Sequence, residues 1–452
     1  MVNAPKPKHI TILGGGPAGL SVGYFAHKCA LPFTIYEARE RVGGNSVTIR
    51  HGHFRFDSGP HLLQTKDIEM TNEILELLPG DFQKLALPVQ TYSDGKLVDF
   101  PFSPLNLLKT LGIRFLAKTV LEITLRKFGK RRTRNFEEFA TSMYGRTMAE
   151  HFLLNYSEKL WGRPCSRLSP RITGQQLRGM TVATFLIEIF RGRNAKIKHL
   201  GGTIYYPKYG FGTIPERLAA LCETKNIHTK SRITAVIHEL DKIRFIELNG
   251  RMIETTDHLV STIPINLLIQ LLRPQPPEPI LAVAEKIQFR ALILVVVFLR
   301  KPFATESISI HFPDVRIPFT RIHEPKKRSK YMAPDDQTSL VAEIPCQEND
   351  ATWNMPDGTL IARVVKGLQE VKLMSPDELI DATVVRLDNA YPVLDADYEQ
   401  KIQQLTAYLK KFSNLKITGR TGGFAYLSLH HIMKNAKKTI SGYVAHESDN
   451  LT

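Results

Sequence analysis

The chain has 452 residues, enough for two or three domains, and its 43% hydrophobic and 23% charged content is typical of a globular protein. Lysine and arginine exceed aspartate and glutamate by 60 to 44, which gives a net charge of +16. Four scattered cysteines exclude a disulfide framework, and the N-terminus has no apolar signal segment. We therefore expect a soluble or peripherally bound protein in the cytoplasm.

The basic residues are partly clustered, in Arg126–Arg134, Arg191–His199 and Pro325–Lys330. Solvated helix faces and loops explain such clusters most simply. An anionic substrate or a peripheral contact with an acidic membrane surface is the alternative. Nucleic acid is not an expected partner, because no cluster interleaves aromatic side chains for base stacking. The sequence leaves the oligomeric state open.

The N-terminal residues predict a βαβ unit that binds a dinucleotide. Strands at His9–Leu13 and Phe33–Glu37 flank a helix that begins at Pro17 and runs to about Lys28. The loop between them carries the spaced glycines Gly14, Gly16 and Gly19. These glycines allow a tight turn, close approach of the backbone to a pyrophosphate, and close packing of helix on strand. The acid that ends the second strand can accept ribose hydroxyls.

Residues after the second strand distinguish FAD from NAD. Gly43 and Gly44 lie where the longer FAD must pass close to the backbone. A further strand then ends at Gly59, Pro60 and His61. The motifs G-x-G-x-x-G, E-A-R-x-x-x-G-G and F-D-x-G-x-H together resemble the N-terminal region of the flavin amine oxidase superfamily. That group includes monoamine oxidases, protoporphyrinogen oxidase and phytoene desaturases, with UDP-galactopyranose mutase as a relative.

The resemblance implies FAD as the cofactor and assigns residues to it. In the N-terminal segment these are Gly14, Gly16, Pro17, Ala18, Glu37, Arg39, Gly44, Asn45, Gly59 and Pro60. The stretches Gly201–Cys222 and Asp257–Pro264 resemble later cofactor segments of the family. Between them, Ile233 matches the residue whose backbone meets the adenine. Asn389–Ala436 resembles the closing segment and places at the flavin Gly419, Arg420, Ser428, Leu429 and His430.

The closing segment departs from the family pattern at one point. Many relatives carry N-M-D before the last helix, whereas this chain has Ser428, Leu429 and His430. A cation at a helix N-terminus is electrostatically unfavourable, so His430 and His431 can be neutral and simply packed. The sharper hypothesis is that His430 approaches the N1/C2 side of the flavin and favours its anionic reduced form.

We expect an α/β fold, in which a Rossmann-like FAD-binding domain is assembled from discontinuous segments around an inserted α+β substrate domain. The FAD-binding segments are 1–61, 201–265 and 374–452, the helical insertion is 62–200, and the substrate-domain sheet is 266–373. In the helical insertion, Tyr156–Gly162 resembles a motif of a bacterial subgroup of FAD-dependent oxidoreductases. We interpret Lys159 and Trp161 there as residues that lock helices together. The apolar run Ala291–Leu299 predicts a buried strand.

The catalytic candidates are His61, Arg420 and Tyr426, on the loops expected to face the flavin. His51 and His53 lack a third ligand, so we expect a surface hairpin and no metal site. The resemblance implies an FAD-dependent oxidase or desaturase that moves a hydride from a C–N or C–C bond of a small molecule to flavin N5. Alternatives are a redox-neutral flavin isomerase resembling the mutase and a non-catalytic flavin-binding homologue.

Overall fold

A computed structural model describes residues 9–64, 67–85, 89–100, 104–125, 133–173, 204–254 and 257–449. Most of the basic stretch Arg126–Arg134 and all of Arg191–His199 lie outside the described residues. The helices are α1 (Pro17–Lys28), α2 (Ile68–Leu77), α3 (Pro104–Leu125), α4 (Phe136–Met148), α5 (Asn155–Trp161), α6 (Thr213–Leu221), α7 (Ile265–Leu271), α8 (Glu278–Glu285), α9 (Pro325–Arg328), α10 (Asp357–Glu370), α11 (Tyr398–Leu409), α12 (Gly419–Gly422) and α13 (Leu429–Asp449). The strands are β1 (Ile10–Leu13), β2 (Phe33–Tyr36), β3 (Thr48–His51), β4 (Phe54–Asp57), β5 (Leu63–Gln64), β6 (Phe82–Leu85), β7 (Val89–Ser93), β8 (Lys96–Phe100), β9 (Ile204–Pro207), β10 (Ile227–His228), β11 (Ile233–Glu239), β12 (Lys242–Leu248), β13 (Arg251–Glu254), β14 (His258–Ser261), β15 (Leu272–Arg273), β16 (Phe289–Leu299), β17 (Ser309–His311), β18 (Arg321–His323), β19 (Thr338–Cys346), β20 (Leu379–Pro392) and β21 (Leu415–Ile417).

A parallel sheet forms the half of the molecule that is predicted to bind FAD, in the order β10-β2-β1-β14-β21. Helix α1 packs on this sheet and α13 packs on α1, around fully buried aliphatic side chains such as Ile12, Ile35 and Val260. The predicted first strand, first helix and second strand are all confirmed. The predicted α/β fold is therefore confirmed. Strands from separate stretches bring their carboxyl ends to one edge of the sheet, where such folds bind their ligands.

A second, mixed sheet has the order β20-β16-β19-β18-β17-β7-β8. The predicted apolar strand is confirmed as β16, which is buried along almost its whole length between β19 and β20. The range 62–200 was expected to be helical, and this expectation is wrong for its described part, which also contains β5 to β8. The turn between β7 and β8 is Asp94-Gly95, with φ of +48° and +78°. An Asp-Gly pair between two strands of alternating polarity is a strong hairpin signal, so this hairpin could have been predicted from the sequence.

The two halves meet at several shorter elements. The hairpin of β3 and β4 is confirmed at the predicted position, with His53 at its exposed turn. Strand β20 lies in the range assigned to the third FAD-binding segment, yet it pairs with β16 of the second sheet. The chain thus passes directly from the second sheet into the closing FAD segment. Among the described helices, none is both long and apolar enough to cross a membrane.

Candidate functional site

The loop between β1 and α1 has the geometry of a phosphate cradle. Gly14 has φ of +102°, which favours glycine, and a Cβ there would lie 2.4 Å from Oγ1 of Thr262. A Cβ on Gly19 would lie 1.8 Å from the carbonyl oxygen of Gly14, so helix and loop could not pack as they do. Gly16 is the N-cap of α1, and Pro17 begins the helix without a side-chain cap. The first-turn N–H groups are therefore available to an anion.

Glu37 lies directly beside this loop. Its Oε2 accepts a hydrogen bond from the Gly15 N–H at 2.7 Å, and its Oε1 accepts one from the Arg39 N–H at 2.9 Å. Each carboxylate oxygen keeps a second lone pair, which is what two ribose hydroxyls would need. The N–H of Ser231 donates to the carbonyl of Glu37, which brings the start of β11 and Ile233 to the same end of the cradle.

The Gly43–Gly44 loop closes the cradle from the other side. A Cβ on Gly44 would lie 3.2 Å from Cα of Gly16, so two glycine backbones face each other here. Arg39 donates to the Gly44 carbonyl at 3.2 Å and to Oδ1 of Asn45 at 3.1 Å, and it also pairs with Asp388. Asn45 donates to the Asp388 carbonyl at 2.9 Å. Arg39 and Asn45 therefore join the loop to β20.

His61 lies deep in the protein, after Gly59 and Pro60. Its Nε2–H donates to the Asn45 carbonyl at 3.0 Å, and its ring stacks on Phe211 with centroids 5.1 Å apart. Because a carbonyl can only accept, Nε2 carries the proton and Nδ1 presents a lone pair. Burial, and then the positive charge of Arg420, lower the pKa of His61 to about 4. His61 is therefore a neutral imidazole with an open acceptor.

The closing segment places Arg420 and Tyr426 near His61. Gly419 has φ of +86°, and a Cβ on it would lie 2.8 Å from Cβ of Ala18, so α12 contacts α1 closely. The Arg420 guanidinium lies 5.7 Å from the Tyr426 ring centroid, and its Nε is buried without a hydrogen-bond partner among the described residues. The Tyr426 hydroxyl donates to the Pro392 carbonyl at 3.2 Å, and burial raises its pKa well above the usual value.

His430 is buried at the start of α13. Both ring nitrogens lie 3.1 Å from the Ser428 hydroxyl, and the ring lies 4.1 Å from that of His431, centroid to centroid. Asp67, the N-cap of α2, lies within electrostatic range of the ring. Leu429 is buried in the adjoining core. His430 is thus enclosed by a hydroxyl, a second imidazole and a nearby carboxylate.

A group of polar side chains that the sequence analysis missed lies on the second sheet and α5. We call it the buried polar cluster, and its members are Tyr156, His311, Arg321, His323, Glu343 and Tyr391. Arg321 and Glu343 are opposite each other on β18 and β19, with Nη2 and Oε2 2.6 Å apart. Burial opposes ionisation of Glu343, but Arg321 and His323 hold its pKa down to about 2. The sequence shows only that Glu343 interrupts the apolar run of a strand, and its pairing with Arg321 depends on the register of β18 and β19.

The remaining members stack or pair around this ion pair. Tyr156 stacks on His311 with centroids 5.1 Å apart and planes 11° from parallel. Burial lowers the pKa of His311 to about 3 and raises that of Tyr156 to about 12, so both are neutral. The hydroxyl of Tyr391 lies 3.4 Å from Nη2 of Arg321. These groups lie deep, yet accessible surface remains on Arg321, Tyr156, His311 and Tyr391. We infer that this surface borders an interior cleft.

His61 belongs to the same interior region. Arg420 and Arg328 both lower the pKa of His61, and Glu343 raises it, so these charges lie within electrostatic range of the imidazole. Burial raises the pKa of Tyr391, and Arg420 is among the charges that oppose this rise. The structure therefore brings the three predicted catalytic residues, His61, Arg420 and Tyr426, together with the buried polar cluster.

The basic cluster Pro325–Lys330 was expected to be solvated, and this expectation is wrong at two of its positions. Lys326 is buried and donates to the carbonyls of Pro334, Asp335 and Gln337 at 2.6, 2.7 and 2.8 Å. Arg328 is buried 6.0 Å from the Tyr206 ring centroid, with Nε unpartnered among the described residues. The backbone turn of α9 directs these two cations inward, which a count of charges along the sequence could not reveal.

Two further features anchor the site. Asp57 accepts hydrogen bonds from the hydroxyls of Tyr206 (2.5 Å) and Thr48 (2.6 Å) and from the Phe211 N–H (3.0 Å), which fixes β4 to β9. Lys159 donates to the carbonyls of Phe312, Asp314 and Phe319, at 3.0, 2.7 and 2.7 Å. Lys159 thus attaches α5 to the β17–β18 loop, while Trp161 packs edge-on against Tyr426.

Residues 24–394 match a family model described as flavin containing amine oxidoreductase. An L-amino acid oxidase of Crotalus durissus cumanensis is 43% identical over 61 residues, 14% of this chain and 12% of its own. A 4,4'-diapophytoene desaturase of Methylomonas sp is 34% identical over 70 residues, 16% of this chain and 13% of its own. The chain thus matches only about an eighth of the length of these curated relatives.

Solved structures match over nearly the whole chain. Reduced UDP-galactopyranose mutase gives a TM-score of 0.84 at 20% identity, over 97% of this chain and 94% of the mutase chain. Putrescine oxidase gives 0.67 at 14% identity, over 97% of this chain and 99% of its own. At these identities the likeness concerns the fold alone.

Proposed function

Because residues 24–394 match its model, the chain belongs to the flavin-containing amine oxidoreductase family, and we propose that it oxidises a polar, anionic small molecule. FAD is its cofactor, and the glycine cradle, the carboxylate of Glu37 and the uncapped start of α1 fit the adenosine and pyrophosphate of that molecule. When bound, FAD supplies a hydride acceptor at N5 for a C–N or C–C bond of the substrate.

The observation that carries the proposal is the charge balance of the interior cleft. Arg321 is already paired with Glu343, the buried Arg328 lies within electrostatic range of the buried Asp57 carboxylate, and the histidines are neutral. Among the described residues, no carboxylate pairs with Arg420. An apolar polyene would leave the charge of Arg420 desolvated and unpaired, and an ammonium ion would meet a like charge there. An anionic substrate satisfies both the charge and the open N–H donors of the arginines.

The protein side chains then have distinct roles in this proposal. Arg420, with its unpartnered Nε, binds the anionic group of the substrate. His61 presents a neutral Nδ1 that can accept a proton from the substrate, and its Nε2–H remains fixed by the Asn45 carbonyl. Tyr426, protonated and bound to the Pro392 carbonyl, orients the Arg420 guanidinium through its ring face.

The test is anaerobic reduction of the bound flavin by a panel of anionic, neutral and cationic amines and acids. We expect bleaching of the visible flavin band by anionic compounds. Arg420→Met should raise KM for them at least about tenfold, whereas Arg316→Met, at an exposed arginine, should not. Bleaching by apolar or cationic compounds alone would contradict the proposal, and bound FAD that no compound reduces would favour a non-catalytic homologue.

A redox-neutral isomerase is the second candidate. The excess of arginines over free carboxylates also suits a diphosphate, and the fold resembles that of reduced UDP-galactopyranose mutase over nearly the full chain. This function requires turnover only after reduction of the protein with dithionite, without net oxidation of the substrate. Turnover by the oxidised protein with consumption of an electron acceptor would exclude it.

A further inference from the structure

The outer face of α3 exposes large apolar side chains. Gly112, with φ of +85°, interrupts the helix, and the part after it turns Phe115 and Thr119 towards the protein. The opposite side exposes 65% of Ile113, 55% of Leu121 and 72% of Leu125. Single exposed apolar residues are common, but three on one helix face form a patch that usually contacts another surface.

The same face is basic. Arg114 and Lys118 are exposed on the part of α3 after Gly112, at positions beside the apolar residues. Lys109 is exposed on the part before it. The acid of this helix, Glu122, faces inward, where its two oxygens accept hydrogen bonds from the N–H and hydroxyl of Thr147 at 2.8 and 2.6 Å. Glu122 lies within electrostatic range of Lys118 and balances only one of the three bases of α3. The outer face of α3 therefore combines apolar side chains with an excess of positive charge.

We propose that the outer face of α3 docks onto an anionic membrane surface. In a symmetric contact with a second copy, the bases of one helix would lie against those of the other, which opposes association. At a membrane, the apolar side chains enter the boundary of the acyl chains, and the bases remain among the lipid phosphates. The helix lies in the plane of the interface and does not span it. This docking is independent of the reaction at the flavin.

Vesicle sedimentation tests the docking with the full-length, FAD-loaded protein. One set of vesicles is phosphatidylcholine alone, and the other contains about a third phosphatidylglycerol. We expect at least about tenfold stronger binding to the second set, with most of the difference lost at high salt. Retention of the wild-type protein in the supernatant with both sets overturns the proposal.

Two double variants separate the apolar and electrostatic contributions. Leu121→Ser with Leu125→Ser, and Arg114→Glu with Lys118→Glu, should each weaken binding to the anionic vesicles about tenfold. The matched controls change exposed residues in other elements and should bind like the wild type: Leu240→Ser with Met252→Ser, and Lys286→Glu with Lys410→Glu. The FAD content of each variant confirms that it is folded.

Other occupants of the face give different results. If both α3 variants bind vesicles as the wild type does, α3 is not the docking face. If the wild type ignores vesicles but is a dimer that Leu121→Ser dissociates, the face is a contact between copies. Either result overturns the proposal.

Discussion

The cradle between β1 and α1 and the buried polar cluster are built by opposite means. The cradle uses backbone: glycines that allow close approach, and N–H groups at a helix start. The buried polar cluster uses side chains from α5, β17, β18, β19 and β20, held in place by one another. Backbone recognition depends on local sequence, whereas side-chain recognition depends on residues far apart in the chain. The first can therefore be read from a short motif, and the second cannot.

The sharpest test of backbone recognition in the cradle between β1 and α1 is Gly19→Ala. The added Cβ would lie 1.8 Å from a carbonyl oxygen of the same loop, and backbone cannot move away as a flexible side chain could. We expect loss of bound FAD, measured by flavin absorbance, with severe loss of stability. Gly358→Ala is the matched control, because nothing lies within 4 Å of its Cβ position in α10. It should be neutral or slightly stabilising. A yellow, stable Gly19→Ala protein would show that the loop is not tightly built.

The corresponding test of the buried polar cluster is Glu343→Gln. This change keeps the shape but leaves Arg321 without its counter-ion, and loss of one partner of a buried pair typically costs about 3–5 kcal/mol. Because Arg321 borders the cleft, we expect about 3 kcal/mol, measured by urea unfolding at neutral pH. The control, Glu370→Gln, affects an exposed pair with Lys366 and should cost less than about 1 kcal/mol. If Glu343→Gln and Glu370→Gln lose the same free energy of unfolding, water reaches both ion pairs alike.

The sequence predicted the FAD-binding half far better than the cleft. Gly14, Gly19 and Glu37 are close in the chain, and their spacing follows from one strand, one turn and one helix. Arg321 and Glu343 meet only because β18 and β19 pair, and strand register across 22 residues is not encoded by a local motif. The direction of Arg328 likewise depends on the backbone turn of α9.

A pH titration tests the buried histidine of the polar cluster, His323. Burial lowers the pKa of His323 to about 3, below the ordinary 6.5. As pH falls below about 6.5, the unfolded chain takes up a proton there that the folded protein does not, so stability is lost. Between about pH 6.5 and about pH 5, the free energy of unfolding of His323→Phe should therefore fall by about 2 kcal/mol less than that of the wild type. If the free energy of unfolding falls with pH equally in His323→Phe and in the wild type, His323 is not a buried neutral imidazole.

The contact between β4 and β9 can be tested at Tyr206. Its hydroxyl donates to Asp57, a fully buried carboxylate whose pKa is raised chiefly by burial. Tyr206→Phe leaves this carboxylate with one donor fewer, which should cost about 1–3 kcal/mol by urea unfolding. Tyr205→Phe changes the preceding, more accessible tyrosine of β9 and should cost little. If the two variants are equally stable, the remaining donors, Thr48 and the Phe211 N–H, suffice for Asp57.

The smallest expected effect concerns His430, where the two kinds of recognition meet at a helix start. If His430 favours the anionic reduced flavin, His430→Asn should lower the flavin reduction potential by about 30 mV, a tenfold change for a two-electron couple. A redox-dye titration measures this, with His53→Asn as the control. The structure gives His430 another set of neighbours in Ser428, His431 and the charge of Asp67, and a purely packed imidazole needs no more. An unchanged potential with FAD still bound would assign His430 to packing, and the electrostatics at the flavin would then rest on Arg420 and the helix backbone.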